Sequence, residues 1–152
     1  MTSTTNNGKQ LTHLRFDTLR EANMQRIPTF KNKRGELCHN EDGSDWSPAQ
    51  WLQAVLGELG EYANFRKKFE RGDFSEEEFQ KEAGKELADV VTYLDILAFR
   101  LGIDLGGAVY HKFNEISNRV GSPIFIAEYH YVENEERYTQ YIVTDERIVN
   151  TF

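Results

Sequence analysis

The chain has 152 residues, enough for one domain whose core can form without disulfide or metal staples. Its 25 acidic against 18 basic residues leave a formal net charge of −7. That excludes tight binding to a nucleic-acid backbone over a broad surface but not a small polyphosphate, because bound divalent cations reverse the local field. The single cysteine, Cys38, excludes an internal disulfide framework and points to a reducing, cytoplasmic setting. The polar amino terminus lacks the apolar core of a signal peptide and no stretch is long enough to span a bilayer, so the expectation is a soluble protein without a membrane partner.

Residues 1–10 read as a disordered tail. Residues 11–27 form the first periodic segment, with Leu14, Leu19, Ala22 and Ile27 as its apolar members, and Pro28 ends it. The charged stretch 29–45 contains Gly35 and Gly43, has no hydrophobic period, and is expected to be a long loop. Ser47 as N-cap, Pro48 in the first turn and Gln50 closing a capping box predict a helix start. Leu52, Val55, Leu56, Leu59, Ala63 and Phe69 then recur at helical spacing until Arg71-Gly72-Asp73 breaks the run. Ser75 with Glu78 caps a second long helix to about Leu101, with Leu87, Val90, Val91, Leu94, Leu97 and Leu101 facing a core and Gly102 as the stop. Asp104 caps a further helix to about Arg119, ended by Gly121-Ser122-Pro123. Residues 124–132 and 138–143 are rich in Ile, Val, Tyr and Phe and predict a hairpin, which needs the helical body or another subunit to pack on. The fold class expected is all-α: a helical bundle over 11–121 and a small C-terminal β-hairpin extension over 122–152 that makes oligomer contacts.

The chemistry sits where acids interrupt apolar sequence, at Glu58 and Glu61 and again at Glu86 and Asp89. Residues three apart share a helix face with Cβ atoms roughly 5–6 Å apart, so each pair is a two-carboxylate claw, and two claws on neighbouring antiparallel helices make a four-carboxylate site. Clustered like charges in a helical core call for a cation, and Mg²⁺, a hard ion that completes its shell with waters and phosphates, suits them. The alternative is that Glu58 and Glu61 mark the wet edge of an amphipathic helix, as Glu76, Glu77 and Glu78 do; two claws in apolar runs on adjacent helices weigh against it. A Gly-rich phosphate loop and paired-cysteine zinc spacing are both missing, and Glu36-x-x-His39 is a single copy where a di-iron bundle needs two. His13, His111 and His130 are read as structural or exposed.

The pair Glu58-x-x-Glu61 followed by Glu86-x-x-Asp89 resembles the metal-binding pattern of the MazG-like all-α nucleoside triphosphate pyrophosphohydrolases. The likeness covers about residues 45–122 and includes Gly57-Glu58-Leu59-Gly60-Glu61, Lys67-Lys68, the run from Glu86 to Leu94, and Leu101-Gly102-Ile103-Asp104-Leu105. It implies that the four acids bind Mg²⁺, with Mn²⁺ as a substitute, and that a nucleoside triphosphate is cut between its α and β phosphates to a monophosphate and pyrophosphate. Gly57 departs from the many members that carry Glu there, which leaves the number of metals open.

The segment from Lys112 to Ser122 looks like the phosphate-side segment of phage-type members, and Lys112, Asn114 and Arg119 offer charge and hydrogen bonds suited to phosphate oxygens. Both cations would equally decorate a last helical turn, and Lys67 and Lys68 a solvated face. Trp46, in a region that lines the nucleoside pocket by resemblance, and Tyr93, one turn after Asp89, are the candidates for contacting the base, whereas Trp51 is read as core. Asn23 and Arg26 on the first helix are within reach of a ligand but are read as surface residues. The entry Asp45-Trp46-Ser47-Pro48 and Lys112-Phe113-Asn114 look closest to phage-type members, including a guanine-preferring, MazZ group, which implies dGTP or GTP as substrate and a host cytoplasm if the chain is viral. A homo-oligomer, dimer or tetramer, is expected to complete the pocket. Two other functions fit the same residues: a non-catalytic helical adaptor binding a nucleotide or protein, and a different Mg²⁺-dependent hydrolase acting on nucleotide diphosphates.

Overall fold

The computed structural model describes residues 14–126 in full, together with the backbone of residues 5–6, 9–10, 142–144 and 147–149. Contacts divide the chain into two compact units, residues 14–105 and residues 106–152 with 1–13. The fold is mostly helical: α1 spans Phe16–Arg26, α2 Pro48–Glu70, α3 Glu76–Arg100 and α4 Leu105–Val120. Strands β1 (Thr5–Asn6) and β2 (Lys9–Gln10) pair antiparallel within the stretch expected to be a tail. No helix among the described residues is long and apolar enough to cross a membrane.

Local chemistry accounts for the helix ends. Ser47 and Ser75 each accept from the backbone N–H of the residue three ahead while Gln50 and Glu78 reach back, so α2 and α3 both begin on the capping boxes read from sequence. Such a cap contributes about 1 kcal/mol. At the other ends Gly72 (φ 82°) and Gly102 (φ 69°) take the left-handed conformation, and Asp73 N–H donates to Lys68 O and Ile103 N–H to Ala98 O, closing each helix with a six-to-one bond.

α1 is shorter than its period suggested. It starts at Phe16, Leu14 is 62% exposed outside it, and Pro28 stands inside a 3₁₀ turn, Ile27–Thr29, that follows Arg26. Its buried position is Asn23, whereas Leu19 is half-buried and Ala22 exposed. Asn23 Nδ2 donates to Asp95 Oδ2 at 3.0 Å and Arg20 Nε to Asp95 Oδ1 at 2.9 Å. Asp95 is 1% exposed. Removing Arg20 would strand a buried charge, at a cost of about 3–5 kcal/mol.

α2 and α3 form a helical hairpin across residues 71–75. Phe69 stacks on Phe79, Tyr62 lies against Phe79, and Trp51 meets Tyr93, so one index falls as the other rises and the two helices run antiparallel. The core of this unit joins Ile27, Trp51 and Ile96, with Met24, Phe30, Trp46, Tyr93 and Leu97 packed around them. The expectation that Leu87, Val91, Leu94 and Leu101 face this core is corrected: they are 39% to 55% exposed, as are Leu52, Leu56 and Leu59 at 41% to 57%. They lie on a second apolar stripe, because both helices carry apolar residues over more of their circumference than one neighbour covers.

In the other unit Ile124–Ile126 (β3) pairs antiparallel with Ile142–Thr144 (β4), which pairs with Arg147–Val149 (β5). Of the hairpin expected over 124–132 and 138–143, the pairing of Ile124–Ile126 with Ile142–Thr144 is described, and residues 127–141 lie outside the described residues.

Candidate metal centre

The acids are placed by helical period. On α2 the inward stripe runs Trp51, Val55, Glu58, Tyr62, Phe65, Phe69, and on α3 it runs Phe79, Ala83, Glu86, Val90, Tyr93, Leu97, each buried or half-buried. Glu58 and Glu86 thus occupy positions that packing would give to apolar residues, and Glu86 is only 9% exposed. Glu61 and Asp89, three residues further on their helices, stand at the exposed edge of the same face.

One carboxylate oxygen from each of Glu58, Glu61 and Glu86 lies within 4.8 Å of the others. Among the described residues no other group of His, Cys, Asp or Glu converges in this way. Asp89 is outside this tight group but close enough for its charge to act on Glu58. Burial holds the Glu58 carboxyl above its usual range, assisted by a hydrogen bond with Glu86 and by the charges of Asp89, Glu61 and Glu86. The donor set is all oxygen, anionic and mutually repelling, which fits a hard divalent cation and offers no soft ligand for a thiophilic one.

Tyr93 borders this face. Burial raises its phenol above the usual range, Glu58 and Asp89 raise it further, and Arg26 opposes them, so the hydroxyl lies in the field of both signs. From Tyr93 a row of rings leads to the loop before α2: Trp51 at 6.0 Å, then Trp46 at 4.9 Å from Trp51. Trp51 is core, 1% exposed, as expected, and its indole N–H has no hydrogen-bond partner among the described residues. Trp46 keeps partial exposure at the end of the row.

His39, weighed from sequence only as half of a single Glu36-x-x-His39 pair, instead sits among aromatic rings. Its ring lies 5.1 Å from Phe30, 5.2 Å from Trp46 and 5.1 Å from Trp51, and its Nδ1 pairs with Asp45, which also pairs with Arg100 of α3. Burial and the Arg100 charge push its imidazole below the usual range. No periodic signal could have found it in an irregular loop. A cleft of about 260 Å³ opens beside this cluster, lined by Ile27, Leu37, Cys38, His39, Asp45 and Arg100 among others.

Of the anticipated phosphate contacts, Lys67 and Lys68 are not gathered with the acids. Lys67 and Lys68 are exposed in the last turn of α2, roughly 9–10 Å along the axis from Glu61, and Lys68 Nζ lies over the Phe65 ring at 5.4 Å. Lys112, Asn114 and Arg119 belong to α4 in the other unit. There Lys112 pairs with Glu115 at 2.7 Å and Arg119 is exposed. Asn114 spends its carboxamide on the chain: Nδ2 donates to Ile126 O and Ile126 N–H donates to Oδ1, both at 2.8 Å, which pins β3 to α4. Compared with known proteins, the chain matches no family model, and no curated protein proves similar to it.

Proposed function

We propose that the chain is a Mg²⁺-dependent nucleoside triphosphate pyrophosphohydrolase of the MazG-like kind, releasing a nucleoside monophosphate and pyrophosphate. The observation that supports this most is the convergence of Glu58, Glu61 and Glu86 within 4.8 Å on the inner face of the α2–α3 hairpin, with Asp89 alongside. When bound by these acids, Mg²⁺ supplies positive charge to the phosphate oxygens and orients the substrate for in-line attack. The chain's own part is to hold four carboxylates on two rigid helices before substrate arrives, so that little reorganisation remains at the moment of reaction. One of the four takes the proton from the attacking water. The row Tyr93, Trp51, Trp46 leads away from the acids toward the cleft at His39, and Trp46 at its exposed end is the stacking surface for the base.

A large ring surface favours a purine, and dGTP or GTP is the preferred substrate in this reading. The exposed stripe of Leu52, Leu56, Leu59, Leu87, Val91 and Leu94 supports a homo-oligomer, closed as a dimer or tetramer, working in the cytoplasm, or in the host's if the chain is viral. A panel of nucleoside triphosphates with Mg²⁺, resolving monophosphate, diphosphate, phosphate and pyrophosphate, tests the reading. Equal amounts of monophosphate and pyrophosphate are expected, with higher kcat/KM for dGTP or GTP than for dCTP and dTTP. No turnover of any triphosphate would leave a binding protein, and turnover of nucleotide diphosphates alone would leave a different hydrolase.

A further inference from the structure

Six of the seven arginines in residues 14–105 hold a carboxylate, from Arg15 with Asp17 to Arg100 with Asp45. Arg26, the last residue of α1, has no carboxylate partner among the described residues, although the chain is strongly acidic. Yet it is not loose. Its Nη2 donates to Asn23 Oδ1 at 3.1 Å, and its guanidinium carbon lies 5.8 Å from the Phe30 ring centroid. Asn23 is itself 2% exposed and bound on its other side to Asp95 Oδ2 at 3.0 Å and to Thr92 O at 3.4 Å. The guanidinium of this exposed residue therefore stands on a buried polar scaffold that orients it, and one contact to Asn23 uses only part of its donor fork.

Its position relates to the acids. Phe30, under the guanidinium, and Tyr93, one turn after Asp89, pack on the same Ile27–Trp51–Ile96 cluster. The Tyr93 hydroxyl feels Arg26 together with Glu58 and Asp89. A cation aimed by a neutral amide, standing on the same packed cluster as Tyr93 yet paired with no carboxylate among the described residues, is arranged for an anion from outside. A planar fork with several donors matches phosphate oxygens better than a point charge would.

We propose that Arg26 binds a phosphate group of the substrate, its guanidinium holding oxygens of the same polyphosphate that the acid-bound cation neutralises. This rests on the pyrophosphohydrolase reading of the site. The loop at residues 30–45 then has a second role, since Phe30 at its start supports the guanidinium from below.

The test uses the full chain with Mg²⁺ and two probes: inorganic pyrophosphate by titration calorimetry, and dGTP by steady-state kinetics. R26Q should weaken pyrophosphate binding and raise KM by on the order of tenfold or more, with a smaller change in kcat and an unchanged melting temperature. R34Q, which removes an exposed arginine paired with Glu41, should match the wild type. R26K, which keeps the charge and loses the fork, should fall between, and it carries the test if R26Q lowers the melting temperature. Wild-type affinity and KM in R26Q, or in R26K should that variant be needed, would overturn the assignment, as would a wild-type chain that binds no pyrophosphate. Loss of pyrophosphate binding in R26Q from a chain that hydrolyses no triphosphate keeps Arg26 and discards the hydrolase. Intact hydrolysis with R26Q unchanged does the reverse.

Discussion

The two stripes of the α2–α3 hairpin break the amphipathic rule in opposite directions. Inside, Glu58 and Glu86 stand where the helical period asks for apolar side chains, and Glu86 is 9% exposed. Outside, Leu56 is 57% exposed, Leu52 47% and Leu87 46%, where the rule asks for polar ones. The inner stripe leaves charge uncompensated and the outer stripe leaves area uncovered. In the function proposed above each is relieved by a different addition, a cation for the one and a second copy of the chain for the other, so the two can be perturbed separately.

The largest effect should come from the inner stripe. Asp89→Asn or Glu61→Gln should lower the rate of monophosphate release by on the order of 10²-fold or more while far-ultraviolet circular dichroism keeps its helical signal. A fully active Asp89→Asn chain would sink the assignment of the acids.

On the outer stripe, Leu56→Glu combined with Val91→Glu should lower the mass seen by light scattering, because two charges placed in an apolar contact cost more than the contact returns. An unchanged mass would show that this stripe is not where copies meet.

A smaller and graded effect concerns pH. The folded chain holds Glu58 above its ordinary value of 4.5, so between that value and the raised one the folded state binds a proton that the unfolded state does not. Stability without divalent cation should therefore rise as pH falls through this window, and saturating Mg²⁺ should remove the rise, since the cation competes with the proton. Thermal melts across the pH range with and without Mg²⁺ read this directly. Identical profiles would mean that no cation binds among these acids.

The smallest change separates helix propensity from site chemistry. Gly57 precedes Glu58 in the interior of α2, and nothing lies within 4 Å of the point where a Cβ would stand. Gly57→Ala should stabilise the chain by about 0.5–1 kcal/mol in denaturant melts. A loss of stability or of light-scattering mass would show that something must approach the backbone there.

Much of this region was legible because it obeys short-range rules. Both capping boxes, the Gly72 and Gly102 stops and the shared faces of Glu58 with Glu61 and of Glu86 with Asp89 follow from short spacings along one helix, which helical geometry converts into neighbours. The rest depends on long-range pairing. The apolar residues of α2 and α3 were visible, but nothing local says that Val55 faces the partner helix while Leu56 does not. His39 owes its place to rings from three separate segments, and Asn23 is buried only because Asp95, far along the chain, needs a partner. Arg26 reads from sequence as a surface arginine, and only the carboxylate partners of the other six arginines in its unit set it apart. Asn114, expected among the phosphate contacts, instead clasps the Ile126 backbone, a role fixed by a turn that periodicity does not describe.

The turn at residues 71–75 bears on how fast the protein folds. Gly72 reverses the chain without steric penalty, and the helices it joins meet first at Phe69 and Phe79 and then progressively further from the turn. Such a hairpin can close from its turn outward like a zipper, through contacts of short sequence separation, and structures of that kind form rapidly. Glu58 and Glu86 lie partway along, so their repulsion is met while the zipper is still closing. Mg²⁺ present at refolding should therefore quicken the rate itself, and chelation should slow it.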